Sequence, residues 1–277
     1  MKNLVYKWAK QPFFGRFMVK WKNPLSNDFL WNKHTVESGS GSHIIMWSQP
    51  TQHEAKATII LAHPMGKAAK AEFLKTDYAY FLLKNGYNVV IFDFNGFGES
   101  SMGSFYYHHD LIIVRDKAVQ LFPGKPLALH GISFGANWGT VALQREDNTI
   151  SVAILESGAT NLPEFWIHYP MAHRILRWLY RIRPSYEQYA NFEQAISQTK
   201  NCKKLLFIYA DPDDYTPVSM GVRLKKSSNV DADLELFEGA SHAMAVRADK
   251  ERYFTLTLQF LNEAFEPEPL EKELVPV

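Results

Sequence analysis

Short apolar runs alternate with longer stretches of helical periodicity along most of the chain. The apolar runs predict strands at residues 57–61, 88–92, 127–130, 152–155, 205–210 and 234–237, and the stretches near residues 68–85, 106–122, 136–145, 219–226 and 252–265 predict helices. Strands that are apolar without alternation are buried on both faces. The pattern therefore predicts an α/β fold, a mostly parallel sheet with helices on both faces.

One long segment interrupts this alternation. Residues 158–200 contain no strand pattern and are rich in aromatic residues and arginine. An ordinary crossover helix is the simpler alternative, but the segment is too long for a single crossover. Because it follows the carboxyl end of a strand, we predict a small helical cap over that edge of the sheet. Within it, Trp166, Tyr169 and Trp178 are candidate substrate-binding residues.

The two ends of the chain lie outside the alternating pattern of strands and helices. Residues 1–50 precede the main domain, predicted at residues 51–265, and include a hairpin pattern over residues 30–48. Residues 266–277 are acidic and rich in proline, a composition typical of a flexible tail.

The composition of the chain argues against several classes of protein. The chain has 277 residues, a formal net charge of +1 and one cysteine. A nearly neutral chain has no general attraction to nucleic acid, and a single cysteine excludes an internal disulfide. No apolar run reaches the roughly 18 residues of a membrane span, and the N-terminus lacks the pattern of a secretory signal. We therefore expect a cytoplasmic protein that binds no nucleic acid.

Charge is nevertheless distributed unevenly. Residues 1–22 contain six lysine and arginine residues, six aromatic residues and no acidic residue. Basic and aromatic side chains together favour the surface of an anionic membrane. We therefore predict a peripheral contact between this segment and such a membrane. The alternative is that the segment packs on the domain with its lysines pointing outward.

One serine lies between two glycines at a predicted strand-to-helix turn. The sequence Gly-Ile-Ser-Phe-Gly, at residues 131–135, separates the strand predicted at residues 127–130 from the helix that follows. Glycines lack a Cβ and let the strand and helix approach closely, and such a turn exposes the serine hydroxyl at the carboxyl end of the sheet. Ser133 is therefore the candidate nucleophile.

The groups that could activate this serine come later in the chain. A serine hydroxyl needs a base to take up its proton and a third group to orient that base. His242 follows the last predicted strand and would lie at the same edge of the sheet. The acid is expected after the strand at residues 205–210, where Asp211, Asp213 and Asp214 compete. Asp211 precedes a proline and should be extended, so we favour Asp213 and keep Asp214 as the alternative.

Two backbone N–H groups are needed to bind the oxyanion of a tetrahedral intermediate. The N–H of Phe134, at the start of the helix, is one candidate. The other should come from the loop after the strand at residues 57–61. Pro64 in that loop has no N–H, so Met65 is the candidate. This chemistry requires no metal and no organic cofactor.

Two further motifs resemble those of the α/β-hydrolase superfamily. Residues 63–66, His-Pro-Met-Gly, are similar to the family's His-Gly oxyanion loop, with proline in place of the usual glycine. Residues 93–100, Asp-Phe-Asn-Gly-Phe-Gly-Glu-Ser, resemble its Asp-x-Arg-Gly-x-Gly-x-Ser signature, with Asn95 where arginine is common. The resemblance covers about residues 55–265. It implies an α/β-hydrolase fold with a small helical cap.

The order of the three candidate catalytic residues also resembles this superfamily. Ser133, an acid near residue 213 and His242 follow one another as the family's nucleophile, acid and base do. The spacing from Asp213 to Pro217 is similar to the family's usual acid motif. The resemblance therefore implies Asp213, rather than Asp214, as the acid.

Within the superfamily, the chain is most similar to small-cap serine esterases and thioesterases. This implies hydrolysis of a carboxylic ester or thioester of a small-molecule acyl substrate through an acyl-enzyme intermediate. The aromatic and aliphatic cap residues suggest an apolar acyl group. The same triad could serve an acyltransferase, an amidase or a peptidase. A non-catalytic binding protein on a hydrolase fold is a further alternative, against which the intact set of candidate residues argues.

Overall fold

The computed structural model describes residues 2–19 and 30–265, and eight strands within them form one sheet. The strands are β1 (Asn32–Glu37), β2 (His43–Gln49), β3 (Ala57–Ala62), β4 (Tyr87–Phe92), β5 (Leu127–Ile132), β6 (Ile150–Glu156), β7 (Lys204–Asp211) and β8 (Asp231–Glu238). Their order is β1-β2-β4-β3-β5-β6-β7-β8. The pairs β1–β2 and β2–β4 are antiparallel, and β3 to β8 run parallel. The predicted mostly parallel sheet is confirmed.

Twelve α-helices connect and cover these strands within the described residues. They are α1 (Lys2–Phe14), α2 (Ala71–Lys75), α3 (Tyr78–Lys84), α4 (His108–Leu121), α5 (Phe134–Leu143), α6 (Leu162–Phe165), α7 (Pro170–Ile182), α8 (Ser185–Tyr189), α9 (Phe192–Ile196), α10 (Val218–Ser227), α11 (Ala245–Ala248) and α12 (Lys250–Phe265). A 3-10 turn, Trp166–His168, separates α6 from α7. Neighbouring residues of β3 belong to two different cores, Ile60 to one and Ile59 to the other. Apolar packing therefore covers both faces of the sheet.

The six strands predicted in the main domain are all present, each longer by one to four residues. The helix predicted near residues 68–85 is instead two helices, α2 and α3. Asp77 lies between them in the left-handed conformation, with φ at 63°. Apolar residues continue on both sides of Asp77, so the hydrophobic pattern alone did not reveal the break.

The N-terminal region is continuous with the main domain. The hairpin of β1 and β2 joins the sheet, because β2 pairs with β4. Phe13 and Phe14 of α1 are buried in the core that also contains α4 and α5. The predicted boundary at residue 50 therefore marks no break in the sheet. The predicted flexible tail, residues 266–277, lies outside the described residues, as do residues 20–29.

The segment between β6 and β7 is helical, as the sequence predicts. It contains α6 to α9, and its one β-type contact is an isolated bridge between Asn161 and Asn191. Among the helices described, none has both the length and the apolar character needed to span a bilayer.

Candidate active site

Ser133 occupies a sharp turn between β5 and α5. Its backbone has φ at 49°, in a region that residues with side chains rarely adopt. The turn is possible because of its glycines: a Cβ on Gly135 would lie 2.0 Å from the carbonyl oxygen of Ala62, and one on Gly131 would lie 2.6 Å from Gly135. The predicted strand-to-helix turn is therefore present, with the hydroxyl at the carboxyl edge of the sheet.

The structure brings the three candidate catalytic side chains together. Ser133 Oγ lies 2.8 Å from His242 Nε2, and His242 Nδ1 lies 2.8 Å from Asp213 Oδ2. A carboxylate can only accept a hydrogen bond, so Nδ1 carries the proton and Nε2 is available to accept one from the serine. Asp211 and Asp214, the competing acids, are both exposed. Asp213 is the aspartate in contact with the histidine.

Thr216 adds a contact that the sequence analysis did not identify. Its hydroxyl donates to Asp213 Oδ2 at 2.7 Å and lies 3.0 Å from His242 Nδ1, while its N–H donates to Asp213 Oδ1 at 3.0 Å. Burial raises the pKa of Asp213, but the hydrogen bonds from His242 and Thr216 outweigh burial and hold that pKa below its usual value. The carboxylate is therefore ionised and fixed in orientation. In the sequence, Thr216 could have been identified by its position three residues after Asp213.

The candidate oxyanion donors lie at the ends of two neighbouring strands. Met65 follows β3, Phe134 follows β5, and both residues line the cavity that Ser133 lines. Among the described residues, neither N–H donates a hydrogen bond to another group. His63 supports the Met65 loop: its Nδ1–H donates to the carbonyl oxygen of Pro64 at 2.8 Å, and its Nε2 accepts from Phe94 N–H at 3.1 Å.

An apolar cavity of about 440 Å³ extends from Ser133. Apart from Ser133, Asn137 and several tyrosine hydroxyls, the side chains that line it are aliphatic or aromatic. It lies between α1, the cap and the start of α5, so the predicted cap does border the candidate nucleophile. Across residues 2–19 and 30–265 there is no group of three His, Cys, Asp or Glu side chains able to hold a metal.

The three cap residues predicted to bind substrate differ in position. Trp166 lines the cavity and is 5% exposed. Tyr169 packs on Trp166 outside the lining, and its hydroxyl lies 3.0 Å from that of Tyr215, beside His242. Trp178 is 61% exposed. It lies on the opposite side of α7 from the lining residue Leu176, because two residues correspond to a rotation of about 200°.

The family model described as serine aminopeptidase, S33, matches residues 53–213, which is more than half of the chain. The chain belongs to this family and thus to the α/β-hydrolase superfamily. This confirms the resemblance on which the sequence analysis relied. No curated protein matches the sequence.

Several solved structures share the fold of this hydrolase. An esterase from Pyrococcus furiosus aligns with a TM-score of 0.69 and 20% identity, over 90% of this chain and 98% of that one. An esterase from Exiguobacterium antarcticum aligns with a TM-score of 0.63 and 14% identity, over 83% and 100%. The acylaminoacyl peptidase of Pyrococcus horikoshii aligns with a TM-score of 0.66 and 13% identity, over 87% of this chain and 43% of that one.

A buried polar cluster joins α1 of the hydrolase to its body. The ammonium group of Lys10 donates to Asn95 Oδ1, and Asn95 Nδ2 donates to Asp110 Oδ2 at 2.6 Å. Lys10 also lies 4.3 Å above the ring centroid of Tyr107. Burial lowers the pKa of Lys10 to about 7. The nearby carboxylate of Asp110 acts in the opposite direction and raises that pKa, but its effect is smaller than that of burial. Asn95 thus joins the Lys10 side chain of α1 to the Asp110 carboxyl group of α4.

A second buried cluster lies near the candidate catalytic residues. The hydroxyl of Tyr253 lies 2.6 Å from Glu156 Oε2 and 2.8 Å from His130 Nε2, and His130 Nδ1 lies 2.9 Å from the hydroxyl of Tyr78. Burial raises the pKa of Glu156 to about 7 and lowers that of His130 to about 3. The carbonyl of Glu156 also accepts from Ser133 N–H at 2.7 Å. This cluster therefore supports the turn that carries the serine.

Proposed function

We propose that this hydrolase is a serine esterase that cleaves carboxylic esters or thioesters with an apolar acyl group. One observation carries the proposal: a serine, a histidine and a buried aspartate are linked by 2.8 Å contacts beside an apolar cavity of about 440 Å³. The polar linkage suits activation of a hydroxyl. The cavity suits a hydrocarbon chain, since burial of apolar surface is favourable.

The first half of the reaction forms the acyl-enzyme. His242 Nε2 accepts the proton of Ser133 as Oγ attacks the carbonyl carbon, and the negative charge that develops on the carbonyl oxygen is stabilised by the N–H groups of Met65 and Phe134. Asp213 accepts from Nδ1–H and stabilises the imidazolium cation. His242 then returns the proton to the leaving alcohol or thiol as the bond to the acyl carbon breaks.

The second half releases the acid. Water enters, loses a proton to His242 Nε2 and attacks the acyl carbon, and the same two N–H groups stabilise the second tetrahedral intermediate. Collapse of that intermediate breaks the bond to Ser133 Oγ, which takes back the proton. The carboxylic acid leaves and the hydroxyl is restored.

The family model and the peptidase neighbour make a peptidase the competing proposal. An aminopeptidase must hold a cationic α-ammonium group, for which a carboxylate is the natural partner. Within the described residues, no aspartate or glutamate lines the cavity. This observation favours an apolar acyl group over an amino-terminal one.

A substrate panel distinguishes these reactions. It contains p-nitrophenyl esters and acyl-CoA thioesters of graded chain length, together with aminoacyl p-nitroanilides. We expect cleavage of the esters or thioesters, with kcat/KM dependent on chain length. Cleavage of the anilides alone would support the peptidase, and cleavage of none, together with tight binding of apolar acids, would support a binding protein.

A further inference from the structure

The ten arginines of the hydrolase fall into two groups. Five pair with carboxylates: Arg115, Arg145, Arg223, Arg247 and Arg252. The other five are exposed and have no carboxylate partner among the described residues: Arg16, Arg174, Arg177, Arg181 and Arg183. All of this second group lie just after α1 or in the cap. Among the described residues, the arginines without a carboxylate partner are therefore concentrated on one part of the surface.

Apolar side chains are exposed on the same part of the surface. Met171, Trp178 and Ile182 of α7 are 73%, 61% and 55% exposed. Arg174 and Arg181 lie among them at spacings of three and four residues, so the five side chains form one stripe along the helix. On α1, exposed fractions are 63% for Leu4, 65% for Val5 and 78% for Trp8. Neither helix contains an acidic residue.

The α7 stripe and the exposed apolar residues of α1 border the entrance of the apolar cavity. Val5 and Ala9 of α1 line the cavity and are also exposed, which marks them as part of its open side. Ile175 and Leu179 of α7 line the cavity from the other helix. An amphiphile held against both helices would therefore have its hydrocarbon chain next to the opening.

We propose that the exposed sides of α1 and α7 form a membrane-binding face for anionic bilayers. The face consists of Leu4, Val5, Trp8, Met171, Arg174, Arg177, Trp178, Arg181 and Ile182. Burial of exposed tryptophan and aliphatic side chains in the headgroup region is favourable. Arginines without a carboxylate partner are attracted to the negatively charged lipid phosphates. A second copy of the chain is a poorer partner, because it would bring arginine against arginine with no carboxylate to pair them.

The proposed face differs from the membrane contact predicted from residues 1–22 alone: it uses only one side of α1, and it adds residues of α7. Phe13, Phe14 and Lys10 point into the protein, so only the opposite side of α1 is available to lipid. The arginines of the face all come from the cap, 150 or more residues later in the chain. Removal of the first 22 residues would destroy the cavity wall as well as the face, so point variants are the appropriate test.

Co-sedimentation with vesicles of phosphatidylglycerol and phosphatidylcholine tests the face on the full chain. We expect binding that weakens with salt and is lost on pure phosphatidylcholine. The triple variant Arg174→Gln, Arg177→Gln, Arg181→Gln should bind on the order of 100-fold more weakly, from about five-fold for each charge. Its control, Lys84→Gln, Lys225→Gln, Lys226→Gln, removes the same charge from other exposed positions. Ile182→Ser should also weaken binding, whereas Val222→Ser, which alters a similarly exposed aliphatic residue, should not.

The outcomes separate this proposal from the esterase proposal. Hydrolysis of a soluble short-chain ester reports folding and catalysis without lipid, and both sets of variants should retain it. Wild-type hydrolysis without sedimentation, or equal loss of binding in the two triple variants, would overturn the membrane-binding face. Sedimentation without hydrolysis would overturn the esterase alone. A dimer in light scattering that Ile182→Ser dissociates, with no lipid binding, would assign the face to a second copy.

Discussion

The two sides of the candidate active site are held in place by different forces. At the sheet edge, Ser133, His242, Asp213 and Thr216 are joined by hydrogen bonds of 2.7–3.0 Å. On the cavity side, Phe14 of α1 instead meets five aromatic rings at centroid distances of 5.7–6.3 Å. Hydrogen bonds are directional and fix individual atoms, whereas apolar packing fixes volume and shape. We therefore expect changes at the sheet edge to alter the rate of the chemical step, and changes in the cavity to alter which substrate reacts.

The largest effect is expected at the nucleophile. Ser133→Ala should lower kcat by about a million-fold, as loss of the serine does in other triads. It should also abolish labelling by a fluorophosphonate probe. Binding of an apolar acid in the cavity should persist, because the alanine variant removes only one hydroxyl from the cavity wall. Equal labelling of wild type and variant would place the nucleophile elsewhere.

The acid provides the next test of the sheet edge. Asp213→Asn should lower kcat on the order of 10⁴-fold, because an amide cannot orient the histidine tautomer in the same way. Asp214→Asn is the matched control, since Asp214 is exposed one residue later. Steady-state kinetics on one ester would measure both. If Asp214→Asn caused the larger loss, our assignment of the acid would be wrong.

The sequence predicts the sheet edge of the site better than it predicts the cavity side. The turn at Ser133 and the position of His242 depend on local glycines and on strand order, both of which are visible in a sequence. Which face of α7 points inward depends on where the helix packs. The sequence therefore grouped Trp178 with Trp166, although only Trp166 lines the cavity.

The cluster of Lys10, Asn95 and Asp110 was hidden for a similar reason. The sequence placed Asn95 in a motif where arginine is common and gave no partner for it. Its buried partner, the Lys10 amine, comes from 85 positions earlier in the chain. A contact between residues so far apart leaves no local pattern. For the same reason, the sequence left open whether residues 1–22 pack on the domain, and Phe13 and Phe14 of α1 do so.

The buried cluster behind the serine should make stability depend on pH. Glu156 has a pKa raised to about 7 in the folded protein, against 4.5 in the unfolded chain. Its contribution to stability is therefore fully present below pH 4.5 and is lost as pH rises to about 7. Glutamine carries no charge and can donate to Tyr253, so Glu156→Gln should be more stable above pH 7, on the order of 3 kcal/mol.

Urea unfolding of the two proteins at pH 5 and pH 8 would measure this difference. The gap between Glu156→Gln and wild type should be small at pH 5 and large at pH 8. Glu238→Gln, at an exposed position, is the control and should leave the pH dependence unchanged. Parallel pH profiles for Glu156→Gln and wild type would contradict the prediction.

The smallest effect, and the one that tests the cavity side directly, is expected in the cap. Trp166→Ala removes a buried indole from the cavity wall and should shift the ratio of kcat/KM between p-nitrophenyl dodecanoate and butyrate about ten-fold toward the longer chain. Trp178→Ala removes the same kind of side chain from an exposed position outside the cavity lining and, without lipid present, should leave that ratio unchanged. Because loss of a buried tryptophan costs about 3–5 kcal/mol of stability, both variants are assayed well below their melting temperatures. A shift of the same size in both would mean that the cap acts on the substrate through its overall stability rather than through the shape of the cavity, and the contrast between the two sides of the site would fail.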